Sequence, residues 1–232
     1  MSWDSHVEHG GLRSEADHSI PGPVAHRTPR AYCDPLSRTH SSQTANQSMT
    51  DFAQSFSAGL TYNDFVDQYA SDKDRQRWNV VYEGISLDER QTGLLGSFVR
   101  DMKVVVLAGA WCGDCVNQCP IFERFREANA RIQVRFLDRD DHPDLTAALT
   151  INGGQRVPVV VFLSEDDHLC GIFGDRTLAK YRTMATDIDP DLASLADQRP
   201  LIEQATDEWL NEFERMQLMM RTSGRLRQLH GD

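Results

Sequence analysis

A continuous apolar run that leads directly into a pair of cysteines is the feature that most limits how this chain can fold. Residues 104–107 read VVVL, and β-branched apolar runs of this kind are typical of strands buried on both faces. Residues 108–120 follow as AGAWCGDCVNQCP, which places three cysteines within eight positions. The pattern predicts a buried strand followed by a helix that begins at the cysteines.

From their spacing alone, the clustered cysteines fit a redox couple, a metal site or a set of buried small residues. The chain has five cysteines in 232 residues, an odd number in a chain too long to need disulfide staples. A structural disulfide framework is therefore not expected. Structural zinc prefers four ligands in two pairs, so Cys119 with His142 or His168 would have to complete a site that has a single CxxC. The sequence favours redox chemistry, with no metal and no cofactor.

Composition and charge exclude several classes of partner. A hydrophobic content of 40% with 25% charged residues is that of a soluble globular protein. The net charge of -11 argues against nucleic acid and against an anionic membrane, because both need clustered Lys and Arg. No apolar stretch approaches the ~18 residues of a membrane span, and the first twenty residues lack the pattern of a signal peptide. We therefore expect a cytoplasmic protein.

The first 56 residues differ from the rest of the chain. They are rich in Ser, His, Thr, Pro and Gln and show no apolar period. Such a segment cannot bury enough surface to offset the entropy of ordering, so we predict a disordered tail over residues 1–56. Met49 is an alternative start, because a chain begun there would lose the tail and keep every segment with the pattern of a folded protein.

Residues 57–98 predict a helical N-terminal extension. Thr61 and Asp64 are placed to form a capping box, and apolar residues follow at i, i+3, i+4 and i+7: Tyr62, Phe65, Val66 and Tyr69. A second helix is predicted from about Ser86 to Arg100. The extension leads directly into the apolar strand.

Strands and helices alternate over residues 99–185. After the first strand and its helix, residues 131–138 alternate like a strand and residues 144–153 predict a short helix. Residues 157–163 and 168–174 predict two strands joined by a turn, and residues 175–185 a closing helix. Residues 187–232 predict a C-terminal helical extension, because apolar residues recur every three or four positions: Ile202, Ala205, Trp209, Phe213, Met216 and Met220.

Four features in register make residues 99–185 resemble a thioredoxin domain. WCGDC at residues 111–115 follows a strand and opens a helix, and Pro120 lies where the family kinks that helix. Val157-Pro158 begins a strand where the family has its cis-proline, and Gly174 precedes the last helix. The resemblance implies an α/β thioredoxin-like fold, with a central mixed sheet flanked by helices and, here, helical extensions at both ends. The chain resembles bacterial thioredoxin-like proteins with such an N-terminal extension and a WCGDC motif.

The resemblance implies a thiol-disulfide oxidoreductase that reduces protein disulfides, with disulfide-containing proteins as clients and a thioredoxin reductase as reductant. Cys112 is the expected nucleophile, because a helix N-terminus favours its thiolate, and Cys115 the resolving thiol one turn later. Trp111 is expected to be an exposed part of the docking surface. The edge at Val157 and a cis Pro158 would meet an extended client segment.

The departures from the family concern charge. The middle pair is Gly113 and Asp114 where typical thioredoxins have Gly and Pro, and the Asp114 carboxylate is expected to oppose a thiolate at Cys112. The family's buried Asp and its Lys partner correspond to Val106 and Phe136. The usual proton relay is then missing, which predicts slow turnover as a general reductase.

The remaining cysteines and the C-terminal stripe leave alternatives open. Cys119 is either a half-buried small residue, which modulates the site only by packing, or a third redox thiol. Cys170 is expected in the core and Cys33 to be incidental. The rival function is a thioredoxin-like protein-binding module with vestigial thiols. The apolar residues that recur from Ile202 to Met220, here called the C-terminal stripe, could then be its docking surface. A metal-binding or iron-sulfur variant is a further alternative, because some thioredoxin-like proteins bind such groups at these cysteines.

Overall fold

The computed structural model describes residues 51–195 and 197–232. Nine helices lie in these ranges: Phe52–Ala58 (α1), Tyr62–Tyr69 (α2), Asp72–Gly84 (α3), Glu89–Gly96 (α4), Gly113–Ala128 (α5), Pro143–Ala148 (α6), Leu178–Ile188 (α7), Leu201–Thr222 (α8) and Gly224–His230 (α9). The strands are Met102–Ala108 (β1), Ile132–Asp138 (β2), Val159–Leu163 (β3) and Leu169–Gly174 (β4). A 3-10 helix spans Pro190–Leu195. Most of the predicted tail, with Cys33 and Met49, lies outside the described residues.

The four strands form one mixed sheet in the order β2-β1-β3-β4. β1 pairs with β2 in parallel, whereas β3 is antiparallel to both β1 and β4. Five consecutive residues of β1, from Val104 to Ala108, are almost fully buried, as the apolar run predicts. Helices cover the sheet, so the predicted α/β class with a central mixed sheet and terminal helices is confirmed.

The N-terminal helices share the core of the sheet. Thr61 caps α2 by accepting a hydrogen bond from the Asp64 backbone N–H at 3.3 Å, which is one half of the predicted capping box. The Asp64 carboxylate accepts from the Thr61 hydroxyl at 2.6 Å. Tyr62, Phe65 and Val66 are buried. α1 was not predicted, and it begins at Phe52, inside the stretch assigned to the tail. The tail assignment is therefore wrong for residues 52–56.

Helix α3 was also missed by the sequence analysis. Its sequence DKDRQRWNVVYEG is strongly polar, and Trp78 is its one fully buried residue. A helix with one buried residue shows little apolar periodicity, although Ser71 caps it by accepting from the Asp74 backbone N–H at 3.2 Å. The second helix expected over residues 86–100 is shorter than predicted and spans Glu89–Gly96, with a capping box between Asp88 and Gln91.

The C-terminal helix α8 packs its apolar stripe into the core. The Trp209 ring meets Phe122 of α5 edge-on at 4.7 Å between centroids, and Phe213 packs on Phe162 of β3 at 5.0 Å. Met216 and Met220 are also buried. The stripe is therefore part of the core, and the hypothesis that it is a docking surface is wrong.

A membrane-spanning helix would need a long, almost uncharged apolar segment. None of the helices in residues 51–195 and 197–232 combines that length with that apolarity.

Candidate active site

The cysteine motif lies at the start of α5, directly after β1. Cys112 is the N-cap residue of α5 and is half-buried, while Cys115 and Cys119 are completely buried on the core side of the helix. Pro120 lies inside the same helix. All four described cysteines are free thiols. The arrangement therefore leaves a single sulfur of the CxxC pair accessible to a partner molecule.

The Val157-Pro158 peptide is cis and faces the cysteines, as the resemblance implies. The Cys112 thiol donates to the Val157 carbonyl oxygen at 3.5 Å. Behind it, the backbone N–H of Gly109 donates to the Cys115 sulfur, also at 3.5 Å. The two sulfurs are thus held by the backbone of the segments before β3 and after β1, which brings Cys112, Cys115 and Val157 together.

Both cysteines of the pair have pKa values above the ordinary range of a thiol. The Cys115 side chain and partial burial raise the pKa of Cys112, whereas the backbone N–H groups of Cys115 and Asp114 lower it. Burial raises the pKa of Cys115. The helix N-terminus therefore acts in the expected direction, and it is opposed by burial and by the neighbouring thiol.

The carboxylate of Asp114 is paired with an arginine. Arg176, in the loop between β4 and α7, places Nη2 2.9 Å from Asp114 Oδ2 and Nη1 3.1 Å from Asp175 Oδ2. Asp175 is buried and also pairs with Arg156 at 3.0 Å. The expectation that Asp114 opposes a thiolate is therefore revised, because Arg176 offsets the charge of that carboxylate.

Gln118 fastens the same loop to α5. Its side-chain amide donates to the Asp175 carbonyl oxygen at 2.9 Å and to the Asp114 carbonyl oxygen at 3.1 Å. Its amide oxygen accepts from Trp209 Nε1 at 2.9 Å. Gln118 is buried, so these bonds are shielded from water. The C-terminal extension thereby reaches the active-site helix through Trp209.

The turn before Cys112 is fixed by the N-terminal extension. Trp78 of α3 donates its indole N–H to the Ala110 carbonyl oxygen at 2.8 Å, in a fully buried position. Trp111 is 50% exposed, in line with its expected place on the docking surface, and the guanidinium of Arg139 lies 4.8 Å from the centre of its ring. Arg77 donates to the Trp111 carbonyl oxygen at 3.5 Å. A Cβ at Gly113 would meet one neighbour, Arg77 Nη2 at 3.5 Å, which is an ordinary van der Waals contact.

Gly174, the last residue of β4, lies against the cis-proline segment. Its φ is +144°, a conformation that L residues rarely adopt, and a Cβ there would lie 2.3 Å from the Pro158 carbonyl oxygen. β4 and the cis-proline segment approach this closely only because the residue is glycine. The position of Gly174 sixteen residues after Pro158 therefore has a direct steric reason.

The other sequence predictions near the site have mixed outcomes. Val106 and Phe136 lie opposite each other in the β1–β2 ladder and are both completely buried, so two apolar side chains fill these neighbouring positions. Cys119 is buried beside Cys115, in line with the packing interpretation. Cys170 is half-buried and packs against the core without being enclosed in it, so its assignment to the core holds only in part. In the described part of the chain, no three His, Cys, Asp or Glu side chains cluster as a metal site would require.

Three residues that shape the site were not singled out from the sequence: Trp78, Gln118 and Arg176. The Ser71 and Asp74 cap of α3 is a sequence signal that could have located the helix carrying Trp78. Gln118 acts through Asp175 and Trp209, which lie 57 and 91 residues away in the sequence. Arg176 acts through Asp114. No local pattern reports such pairings.

The fold agrees with comparisons to known proteins. A protein of unknown function from Pseudomonas aeruginosa is 19% identical, with a TM-score of 0.59 over 72% of this chain and 98% of that one. An HIV epitope-scaffold is 20% identical, with a TM-score of 0.56 over 71% and 98%. These likenesses support the fold alone.

No curated protein sequence matches the chain. The sequence profile of the thioredoxin family matches residues 59–188, a range that includes the CxxC pair, the cis-proline and Gly174. Since this match covers more than half of the chain, the protein belongs to the thioredoxin family.

Proposed function

We propose that the protein is a thiol-disulfide oxidoreductase that reduces protein disulfides through Cys112 and Cys115. One observation carries the proposal: Cys112 is the accessible sulfur, 3.5 Å from the Val157 carbonyl oxygen at a cis-proline, with Cys115 fully buried behind it. An accessible sulfur is needed to attack a client, and a protected one is needed to finish the exchange within the protein.

The reaction follows from this arrangement. The Cys112 thiolate attacks one sulfur of the client disulfide, forms a mixed disulfide and releases the other client sulfur as a thiolate. Cys115, after losing its proton, attacks Cys112 Sγ and releases the second client sulfur. The two protons of the dithiol end on the two client thiols, and two electrons pass to the client as the Cys112–Cys115 disulfide forms. A thioredoxin reductase using NADPH would return the protein to the dithiol.

The proposed compartment is the cytoplasm, and the proposed partners are disulfide-containing proteins. An odd number of cysteines without the spacing of a structural framework supports a reducing compartment. In such a compartment a thiol pair is kept reduced and can serve as an electron donor. The reduction potential tests this direction: a value near the ~-270 mV of thioredoxin agrees with it, and a value near ~-120 mV, as in a strong oxidant, contradicts it.

The activity itself is tested with the reduced protein and DTNB, followed by an insulin disulfide assay coupled to NADPH and a thioredoxin reductase. Cys112→Ser is expected to abolish the insulin reaction and to remove the accessible thiol of the CxxC pair from the DTNB reaction, and Cys115→Ser to accumulate a mixed disulfide that mass spectrometry identifies. Cys170→Ser is the matched control, because this half-buried thiol on β4 lies outside the CxxC pair. Full disulfide reduction by Cys112→Ser would refute the proposal.

One observation favours the alternative of a protein-binding module with unused thiols, namely the raised pKa of Cys112. A raised pKa lowers the fraction of thiolate, which is the nucleophilic form of cysteine. The two functions separate in one comparison, because a binding module would retain its partners after Cys112→Ser. An oxidoreductase would lose its covalently trapped clients in the same variant.

A further inference from the structure

A groove beside the first two turns of α5 takes no part in the exchange chemistry of Cys112 and Cys115. Asp114, Asn117 and Gln118 form its α5 wall, at positions that share one face of the helix. The other walls come from α3, α7 and α8 and are lined by Val80, Val81, Lys180, Leu201, Ile202 and Ala205. The groove has a volume of about 270 Å³. We call it the Asp114 groove.

The lining of the Asp114 groove is mainly aliphatic. Val80 is 67% exposed and Ile202 is partly exposed, although both are apolar, while Ala205 is buried at the base. An apolar side chain placed here would remove this surface from water. The volume is below the ~300–1,000 Å³ of pockets that hold whole cofactors or drug-sized ligands. The groove therefore suits one side chain of a larger partner.

Within the described residues, the one charge at the rim of the Asp114 groove that has no ion-pair partner is positive. The lining contains one acid, Asp114, and its carboxylate is already paired with Arg176 at 2.9 Å. The lining also contains one cation, Lys180, which has no ion-pair partner within residues 51–195 and 197–232. An acidic group on the partner would therefore be attracted to Lys180 without displacing an existing pair.

The Asp114 groove lies within reach of a segment bound to Cys112. Asp114 and Gln118 follow Cys112 by two and six residues, which the helical rise converts to ~3 and ~9 Å along the axis. An extended segment advances ~3.3 Å per residue. A client attached to Cys112 would thus reach the groove with a residue about one to three positions from its own cysteine.

We infer that the Asp114 groove is a specificity subsite for the disulfide client. It takes an aliphatic side chain one to three residues from the client cysteine, and Lys180 pairs with an acidic residue next to that side chain. This inference rests on the proposed function and names its substrate class. Clients of this chemistry would be held both by the sulfur bond to Cys112 and by the groove.

The test uses four synthetic peptide disulfides, each a dimer of one peptide joined through its cysteine. The sequences are ELGCGLE, EAGCGAE, QLGCGLQ and QAGCGAQ, which vary the aliphatic and the acidic residue independently and on both sides of the cysteine. Single-turnover reduction by the full-length reduced protein is followed by chromatography of the released peptide thiol. Each rate is divided by the DTNB rate of the same protein variant.

Two groove variants and two matched controls complete the design. Val80→Glu places a charge on the apolar wall, and its control is Ile188→Glu, at an exposed apolar residue at the end of α7. Lys180→Gln removes the rim cation, and its control is Lys73→Gln, on the exposed side of α3 outside the groove. The controls account for changes in net charge.

The wild-type protein is expected to reduce the Leu peptides about ten-fold faster than the Ala peptides, since burying the larger side chain gives about 1.4 kcal/mol or more. It is expected to favour Glu over Gln about three-fold, in the range of an exposed ion pair. Val80→Glu should abolish the Leu preference, and Lys180→Gln the Glu preference. Ile188→Glu and Lys73→Gln should keep both preferences.

Three results would overturn the inference. Equal rates for all four peptides in a wild-type protein that reduces DTNB would remove the subsite and leave the proposed function intact. If the control variants also lost the peptide preferences, these preferences would be an effect of net charge. A wild-type dimer in sedimentation that Val80→Glu dissociates would assign the groove to a second copy of the chain. Failure to reduce DTNB would instead refute the proposed function.

Discussion

The guanidinium of Arg176 lies 2.9 Å from the carboxylate of Asp114 and joins the cysteine motif to the loop after β4. The same guanidinium contacts Asp175, which is buried. Asp114 and Arg176 are both largely shielded from water. Their charges therefore interact more strongly than on an open surface. The residue that departs from the usual thioredoxin motif is therefore one half of an ion pair.

Arg176→Gln should raise the pKa of Cys112, because the Asp114 charge would then act on the thiolate without compensation. We expect alkylation of Cys112 by iodoacetamide at pH 7 to slow about three-fold, equivalent to about half a pKa unit. Peptide mapping by mass spectrometry measures alkylation at this cysteine alone. Asp114→Asn should have the opposite effect, and the double variant should return close to the wild-type rate.

The control for this pair is Arg215→Gln, which removes a similar charge from an i,i+3 surface pair with Glu212 on α8. It should leave the alkylation rate unchanged. An unchanged or faster rate in Arg176→Gln would contradict the role assigned to the Asp114 pair.

Trp78→Phe should destabilise the protein by about 1–2 kcal/mol, because the buried Ala110 carbonyl oxygen would lose its hydrogen-bond donor. Urea unfolding measures the free energy, and the DTNB rate reports whether the turn before Cys112 has moved. Tyr82→Phe is the matched control, since it also removes one hydrogen-bond donor from α3, but at an exposed bond to Glu127. Equal losses of stability in the two variants would show that burial of the Trp78 bond has no special effect.

Gly174→Ala should destabilise the protein by about 2 kcal/mol or more, because its Cβ would lie 2.3 Å from the Pro158 carbonyl oxygen at a φ of +144°. The measurement is the urea midpoint of the reduced protein. Gly84→Ala in α3 is the control, since a Cβ there meets no atom within 4 Å. That variant should be neutral or slightly more stable. A Gly174→Ala midpoint equal to that of Gly84→Ala would rule out the close approach of β4 to Pro158.

The stability of the reduced protein should fall at alkaline pH because of Cys115. Burial raises the pKa of Cys115 in the folded state above its value of about 8.5 in an unfolded chain. The folded state therefore binds this proton more tightly, and the resulting stability is complete below about pH 8.5 and is lost as the pH rises above it. Cys115→Ser lacks this titration.

Urea unfolding of both proteins from pH 7 to pH 10.5, in the presence of a phosphine reductant, measures the difference. The free energy of unfolding of the wild-type protein should decline more steeply than that of Cys115→Ser above about pH 8.5. Parallel profiles for the two proteins would mean that Cys115 titrates in the folded state as it does in the unfolded chain.

The elements around the cysteines were predictable because their signals are local. The β-branched run at Val104 predicts a buried strand, and the α2 cap at Thr61 and the turn between β3 and β4 each depend on a few neighbouring residues. α3 was missed for the opposite reason. Its single buried residue, Trp78, gives no period, and that residue's hydrogen bond goes to Ala110, 32 residues away.

The sequence by itself determined the position of the CxxC pair at a strand-to-helix junction and the order of strands and helices along the chain, and the resemblance to the thioredoxin family implied the cis-proline edge at Val157. It could not determine the electrostatics of the site, because Asp114 and Arg176 are 62 residues apart and meet only when β4 packs beside Pro158. Tertiary structure also placed Trp209 against Gln118 and buried the α8 stripe. Charge pairing and burial depend on which surfaces come together, and that is decided by packing over the whole chain.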